Sequence, residues 1–499
     1  MRIRTRSFII AVTQGLTQAS TVILGIVLAH WLLSQRLFGT YRQVFLVYSF
    51  LTGIFSFQLS SSLYYFLPKL GTQMRKTLLG QTLAGGMVLS LAIATIMFFG
   101  ADVIGRIFNN ADLVPLVKIL SFYSLADGIL QLIPPFMISL DRAIRAGVYS
   151  VLSAFGRMIF TIAAFAAGFN LSAVMWITVV VSVIMAIAGC IDMAMLSPGG
   201  TWKLDRKLIS EQIHYTWPLW AGSIAIIINS QLDKLLISTF FDPLTYAVYY
   251  CGAMELPVVA LITQSINTAI MPNLVSLVAQ HKADQALFIW QEAMRKCSFI
   301  MFPCFALFMV IGGDFMVLLY GKNYEMATWP FRVYLLGLPL RVAFYSTILR
   351  AFGRTKPIAI SVIFSLMINA VVSISLLLIG RGTLLAFIGP SISTVVAAFV
   401  SGGYLLWRTS RVTATPLSKI IRWKELIAAL AVSIGAGVAI GLIPMSMMPI
   451  ILRISVKTLV FLVLFGIITR LTLLNNDELS LLKASFAFVN RIHRKLYNR

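Results

Sequence analysis

The feature that most constrains this chain is a succession of apolar runs, each roughly 20 to 27 residues long, closed by charged or turn residues and joined by short polar links. A helix needs about 20 apolar residues to cross a bilayer. The runs fall at 7–33, 43–66, 78–100, 116–140, 147–169, 172–195, 215–240, 246–271, 297–320, 331–350, 357–379, 384–407, 425–444 and 453–474. The pattern predicts an all-α polytopic membrane protein of about 14 transmembrane helices. Composition agrees: 59% of the 499 residues are hydrophobic and 11% charged, against roughly 45–50% and about 25% in soluble domains. A soluble fold of this length could not keep so much apolar surface from water. The last run carries Arg453 and Lys457, cations that a lipid-facing helix would not tolerate without partners.

The net charge of +23 would suggest nucleic acid in a soluble chain. Here it fits basic loops facing an anionic cytoplasmic leaflet, so no nucleic acid is expected. With the N-terminus placed inside, 28 of the 40 lysines and arginines fall in cytoplasmic links or tails, nine at the outer edge and three within spans. That asymmetry predicts cytoplasmic N- and C-termini in a bacterial inner membrane. Arg2, Arg4 and Arg6 precede an apolar run to Leu33, which is longer than a signal-peptide core and reads as a retained first span. The outer links are short, the longest running from about Gly321 to Trp329, and leave no room for an outer catalytic domain. Cys190, Cys251, Cys297 and Cys304 form no Cys-x-x-Cys pair and read as small apolar residues. No phosphate-binding loop, metal-ligand set or Ser/His/Asp set stands out, so neither a metal nor another cofactor is expected, and the chain reads as a non-enzyme.

The two halves echo each other at an offset near 205. Thr40-Tyr41 matches Thr245-Tyr246, Pro68 matches Pro272, and Met74-Arg75-Lys76 matches Met294-Arg295-Lys296. Six spans per half is an even number, so the repeat is parallel, with its axis along the membrane normal. The expected organisation is two six-helix lobes plus two extra helices: an N-lobe over 1–205, a C-lobe over 206–412, and spans thirteen and fourteen over 413–475. Residues 476–499 follow, with Leu479, Leu482, Phe486, Val489, Ile492 and Leu496 at helical spacing and basic residues between them. This tail reads as a basic amphipathic helix on the inner leaflet or against a partner.

Charges inside the hydrocarbon cost at least about 2.5–3.5 kcal/mol each on insertion scales, so they usually face a cavity or a partner. Arg157 lies ten residues into span five, and Arg341 is central in span ten. A guanidinium suits a diphosphate, to which it offers bidentate bonds; the alternative is an internal ion pair with Asp127 or Glu255. Asp233 and Lys234 are adjacent and point about 100° apart on a helix, which predicts that they neither share a cavity nor pair, with Lys234 snorkelling outward. Asp233 shares a face with Asn229. Asp233, Glu255 and Asp127 are the candidate ion-coupling carboxylates. Polar faces of span one (Gln14, Thr17, Gln18, Thr21), span two (Gln58 and Ser60 to Ser62) and span eight (Thr263, Gln264, Asn267) either bind sugars or join helices.

Four features carry a resemblance. They are Leu37-Phe38-Gly39-Thr40-Tyr41 opening span two, with Tyr64-Tyr65-Phe66-Leu67-Pro68 closing it; span seven from Ile228 through Asp233 to Leu236, followed by Tyr246; the link Arg350 to Arg354; and the six-plus-six-plus-two layout. Together the chain resembles the polysaccharide-transporter branch of the multidrug/oligosaccharidyl-lipid/polysaccharide (MOP) exporter superfamily. The cationic pattern of lipid II flippases is not matched. The resemblance implies a flippase that moves polyprenyl-diphosphate-linked oligosaccharide to the outer face by alternating access. With that substrate, the deep charges Arg157 and Arg341 are expected to hold the diphosphate, and the polar faces, with Asn229, Gln14, Gln18, Gln58, Gln264 and Asn267, to hold the glycan. The implied partners are the lipid-linked oligosaccharide, membrane lipids, and a polysaccharide polymerase or glycosyltransferases. A cation-coupled multidrug exporter of the same superfamily is the alternative.

Overall fold

A computed structural model describes residues 3–197, 202–445 and 447–472, and among them every regular element is a helix. In chain order these are α1 (Ile3–Val27), α2 (Gln35–Phe55), α3 (Leu59–Phe66), α4 (Thr72–Ile107), α5 (Leu113–Leu130), α6 (Ile133–Ser139), α7 (Ala143–Ala166) and α8 (Leu171–Met195). They continue as α9 (Arg206–Phe240), α10 (Pro243–Gly252), α11 (Pro257–Ala279), α12 (Ala283–Tyr320), α13 (Thr328–Leu335), α14 (Leu338–Arg341), α15 (Tyr345–Ala351), α16 (Lys356–Ile379), α17 (Leu384–Val412), α18 (Leu417–Ile420), α19 (Trp423–Gly441) and α20 (Ile450–Thr472). The amphipathic helix expected over 476–499 lies outside the described residues.

Ten helical segments among the described residues are long and apolar enough to cross a membrane, or eleven when the bent pair α2–α3 counts as one span. The described residues do not confirm the count of fourteen, and the three further segments, spans seven, eight and ten, are the less regular ones. Span seven lies within α9, whose Asn229, Gln231, Asp233 and Lys234 dilute its apolarity. Span eight is broken between α10 and α11 around Gly252 and Pro257. Span ten is broken into α13, α14 and α15, with Pro339 opening α14 and Phe344 at φ 23° before α15.

Local chemistry places the starts of the helices. Ser34 Oγ accepts from Leu37 N at 3.4 Å to cap α2, and Asp242 accepts from Thr245 N at 2.9 Å to cap α10, whose first residue is Pro243. The repeated Thr-Tyr pair thus sits in the second turn of α2 and the first turn of α10, both of them capped helices. Span two bends by 45° between α2 and α3, where Phe57 and Gln58 adopt φ of 45° and 52°. Left-handed backbone at non-glycine residues costs of order 1–3 kcal/mol and needs external support. Trp220 provides some of it: its indole N–H donates to Ile54 O at 2.5 Å, satisfying a carbonyl near the break.

The chain divides into two compact units. Unit 1 comprises Met1–Pro257, Leu319–Pro330 and Val362–Ala397; unit 2 comprises Val258–Leu318, Phe331–Ser361 and Ala398–Arg499. Unit 1 has an apolar core of Leu63, Phe66, Leu67, Leu78, Leu79, Ile133 and Phe136, among others, drawn from α3, α4 and α6. In unit 2, Trp290 is fully buried and its indole donates to Phe344 O at 3.4 Å.

Candidate functional site

Within unit 1 a cavity of about 480 Å³ is lined by residues of α1, α2, α5, α7, α8, α9 and α10. Its lining is rich in hydroxyls: Thr17, Ser20 and Thr21 from α1, Tyr41, Tyr48 and Ser49 from α2, Tyr123 from α5, Thr161 from α7 and Thr178 from α8. Three cations face it, Arg42, Arg157 and Lys234, and no carboxylate is among its lining residues. Such a wall offers donors and positive charge to an anionic polar solute.

Arg157 is held from behind. Its Nε donates to Ser153 O at 3.1 Å, one helical turn back, and its Nη1 donates to the Tyr123 hydroxyl. That hydroxyl donates to Asp127 Oδ1 at 2.9 Å. Asp127 Oδ2 also accepts from Tyr48 Oη and from Gln131 Nε2 at 2.6 Å. The direct Arg157–Asp127 approach is 4.0 Å, the outer limit of an ion pair. Both readings from the sequence are thus visible: Arg157 has Asp127 as a distant counter-charge, and its guanidinium still lines the cavity. Three neutral donors share the carboxylate, which weakens its hold on the guanidinium.

Arg42, one of the nine cations that the charge count places at the outer edge, reaches the cavity wall. It sits one helical turn beyond Phe38 in α2, is only 9% exposed, and lines the cavity. Its guanidinium carbon lies 4.6 Å from the centre of the Tyr250 ring, 5.1 Å from Phe38 and 5.7 Å from Tyr41. Its position seven residues into α2, directly after Thr40-Tyr41, was the signal available in the sequence.

Lys234 is a correction. Its Nζ lies 3.8 Å from Asp233 Oδ1, and the residue lines the cavity. Neighbouring helical positions point apart, but a four-carbon stem is long enough to curl back over the intervening arc. Asp233 is 2% exposed and accepts from Tyr249 Oη at 3.1 Å, so it stands behind the wall. Glu255 lines a smaller cavity of about 140 Å³ that shares Arg42, Lys234, Tyr250 and Thr21 with the first.

The remaining sequence candidates lie elsewhere. Asn229 donates to Ser365 Oγ at 3.3 Å and accepts from Asn369 Nδ2 at 3.0 Å. Asn369 Oδ1 in turn accepts from Ser373 and Ser393, at 3.2 and 3.0 Å; this buried knot joins α9, α16 and α17. Gln14 and Gln18 are exposed, while Thr17, Ser20 and Thr21 of the same helix line the cavity. Gln58, at the bend of span two, lines a separate cavity of about 240 Å³ with Ser60, Ser90, Ser124 and Gln131. In unit 2, Asn267 Oδ1 accepts from Thr347 at 2.5 Å, Gln264 is exposed, and Arg341 is exposed at the end of α14. Among the described residues no group of three or more His, Cys, Asp and Glu side chains could hold a metal ion.

The helices and the cavity define a multi-pass helical membrane protein with a partly open cavity whose wall carries hydroxyls and cations. A family described as polysaccharide biosynthesis protein matches residues 27–328, and the chain belongs to that family. Among solved structures it is similar to lipid II flippase MurJ in an inward closed conformation, at 16% identity and a TM-score of 0.67, covering 92% of this chain and 98% of that one. It is also similar to an inward-facing multidrug resistance MATE family transporter of the MOP superfamily, at 14% identity and a TM-score of 0.62, covering 80% and 96%. A third is a MOP superfamily transporter from Pyrococcus furiosus, described as having a binding pocket of reversed polarity, at 13% identity and a TM-score of 0.54, covering 83% and 97%. The shared property is the fold, that of the MOP superfamily transporters. No curated protein matches the sequence.

Proposed function

We propose that this protein is a flippase that carries a polyprenyl-diphosphate-linked oligosaccharide, a precursor of cell-surface polysaccharide, from the cytoplasmic to the outer face of the bacterial inner membrane. The observation that carries this reading is the cavity of unit 1, which places Arg157 and two further cations on a hydroxyl-rich wall free of carboxylates. A diphosphate cannot cross hydrocarbon bare, because its charges lose their hydration. A guanidinium replaces that hydration with paired charge-assisted bonds, and hydroxyls do the same for sugars. A volume of about 480 Å³ falls in the usual range of ligand pockets, about 300–1,000 Å³, and suits a headgroup with its first sugars. Membership of a polysaccharide biosynthesis family and a fold shared with a protein named lipid II flippase support the reading.

In this scheme both termini are cytoplasmic, the repeated lobes 1–205 and 206–412 alternate access, and the lipid-linked oligosaccharide meets this chain between the glycosyltransferases that build it and the polymerase that consumes it. Asp127, 4.0 Å away and linked through Tyr123, is the counter-charge of Arg157 between cargoes. Asp233 and Glu255 stand beside Lys234 and are the carboxylates placed to couple an ion. An exporter of organic cations would set its cargo against three like charges, so the same lining weighs against that alternative.

The test is transport in proteoliposomes holding a fluorescent polyprenyl-diphosphate disaccharide, with the exposed fraction read by a membrane-impermeant quencher. Flipping by the wild type that is lost in Arg157→Ala supports the proposal. Transport of a cationic dye with no movement of the lipid overturns it.

A further inference from the structure

Arg42 is not accounted for by the pairing that holds Arg157. It is nine-tenths buried, its Nε has no hydrogen-bond partner, and among the described residues no carboxylate pairs with it. Its counter-groups are the faces of three aromatic rings, Phe38 and Tyr41 of α2 and Tyr250 of α10. Space is kept for it by Gly25 of α1, where a Cβ would come within 2.4 Å of Arg42 Nη2.

The same rings form a seam. Gly39 packs so closely on α10 that a Cβ there would lie 1.8 Å from Pro243 O. One residue earlier, the Phe38 ring meets Tyr250 and Tyr324 edge to face, at 6.4 and 6.3 Å. These are the ends of α2 and α10 that the charge count assigns to the outer side. The Arg42 guanidinium therefore sits between two helices belonging to the two halves of the sequence repeat, while also lining the cavity.

We propose that Arg42 is a second binding residue for the anionic headgroup, and that its transfer from the aromatic cage to the anion loosens the seam between α2 and α10. The inference rests on the flippase reading and adds a coupling between cargo and gate. A guanidinium gains more from a bidentate bond to a diphosphate than from ring faces. Once it swings toward the cavity, the seam loses the cation that holds Tyr250 against Phe38. An empty carrier keeps the seam shut because Arg42 stays on its three rings, with Glu255 across the small adjoining cavity and not paired with it.

Cys251, next to Tyr250 and 1% exposed, is a built-in reporter of the seam. The experiment uses the full chain in nanodiscs with Cys190→Ala, Cys297→Ala and Cys304→Ala, and follows the rate of Cys251 alkylation by a charged maleimide. Undecaprenyl diphosphate or neutral undecaprenol is added, and lipid binding is read by native mass spectrometry on the same samples. The diphosphate should accelerate alkylation roughly tenfold, the advantage of a charge-assisted pair over a cation–π contact, and undecaprenol should not. Arg42→Gln should raise the basal rate and abolish the response, and Arg42→Lys should restore part of it. Tyr250→Leu, which keeps the cation and removes one ring, should bind the diphosphate more tightly and guards against a misfolded Arg42→Gln. Binding without any change in Cys251 reactivity, or a wild-type response in Arg42→Gln, overturns the latch and leaves the flippase reading standing. A wild-type protein that binds no diphosphate lipid overturns both.

Discussion

The ion pairs of unit 2 and the cavity cations of unit 1 are partnered differently. In unit 2, Asp314 of α12 holds Arg453 of α20 at 2.8 Å and Lys457 at 3.9 Å. Glu425 takes Arg295 at 2.9 Å, while Glu292 takes Arg422 at 3.1 Å. Each of these cations has a carboxylate at hydrogen-bonding or ion-pair distance. In the cavity of unit 1, Arg157 stands 4.0 Å from Asp127, Lys234 stands 3.8 Å from Asp233, much as Lys457 does from Asp314, and Arg42 sees aromatic rings. A charge kept in low dielectric with a matched partner serves the fold, because removing either member leaves an uncompensated ion. The lining of the unit 1 cavity carries three cations and no carboxylate, an arrangement that the proposed function fills with an anionic cargo.

The largest effect should come from the unit 1 side of this comparison. Arg157→Ala should lower the rate of headgroup flipping about 100-fold, equivalent to about 2.7 kcal/mol, the upper range of a charged hydrogen bond. Stability should change little, because Asp127 keeps Tyr48, Tyr123 and Gln131 as donors. Equal losses of stability and transport would make Arg157 a structural residue.

On the unit 2 side, Asp314→Asn should cost about 2 kcal/mol in unfolding measurements, below the 3–5 typical of a fully buried pair because all three side chains keep some solvent contact. Its headgroup affinity should stay at the wild-type value, and a drop in affinity would erase the distinction between the units. Asn369→Ala should cost about 1–2 kcal/mol by leaving Asn229 and Ser373 short of a partner, while Ser393 keeps the Asn369 carbonyl, again read by unfolding with transport as the control. The smallest and most discriminating change is Asp127→Asn. Without its competing carboxylate, Arg157 should bind a diphosphate lipid about threefold more tightly, a difference below 1 kcal/mol. Weaker binding would show that Asp127 aims the guanidinium more than it competes for it.

The helical membrane class was legible because length and apolarity decide it directly. The breaks were not. Phe57 and Gln58 carry no glycine or proline signal, and their left-handed backbone is tolerated only because neighbours such as Trp220 meet the freed groups. The doubts raised by Arg453 and Lys457 in the last span are answered by Asp314, a residue more than a hundred positions away that no local pattern could supply. Arg157 was found because one deep charge in an apolar run is conspicuous. Arg42 was missed because its importance lies in what surrounds it, three rings from two helices, and counting by loop assigned it to the edge. Asn229 looked like a sugar ligand because a polar side chain on a helix face reads the same whether it meets cargo or another helix.

The central claim is that the protein clears a lipid-linked glycan from the inner face. The most direct measurement is the mass-spectrometric profile of lipid-linked oligosaccharides in cells depleted of the protein, beside cells complemented with wild type or Arg157→Ala at matched protein levels. The account predicts that one polyprenyl-diphosphate glycan accumulates on depletion, that wild type clears it, and that Arg157→Ala does not. An unchanged lipid profile together with increased sensitivity to cationic compounds would contradict it.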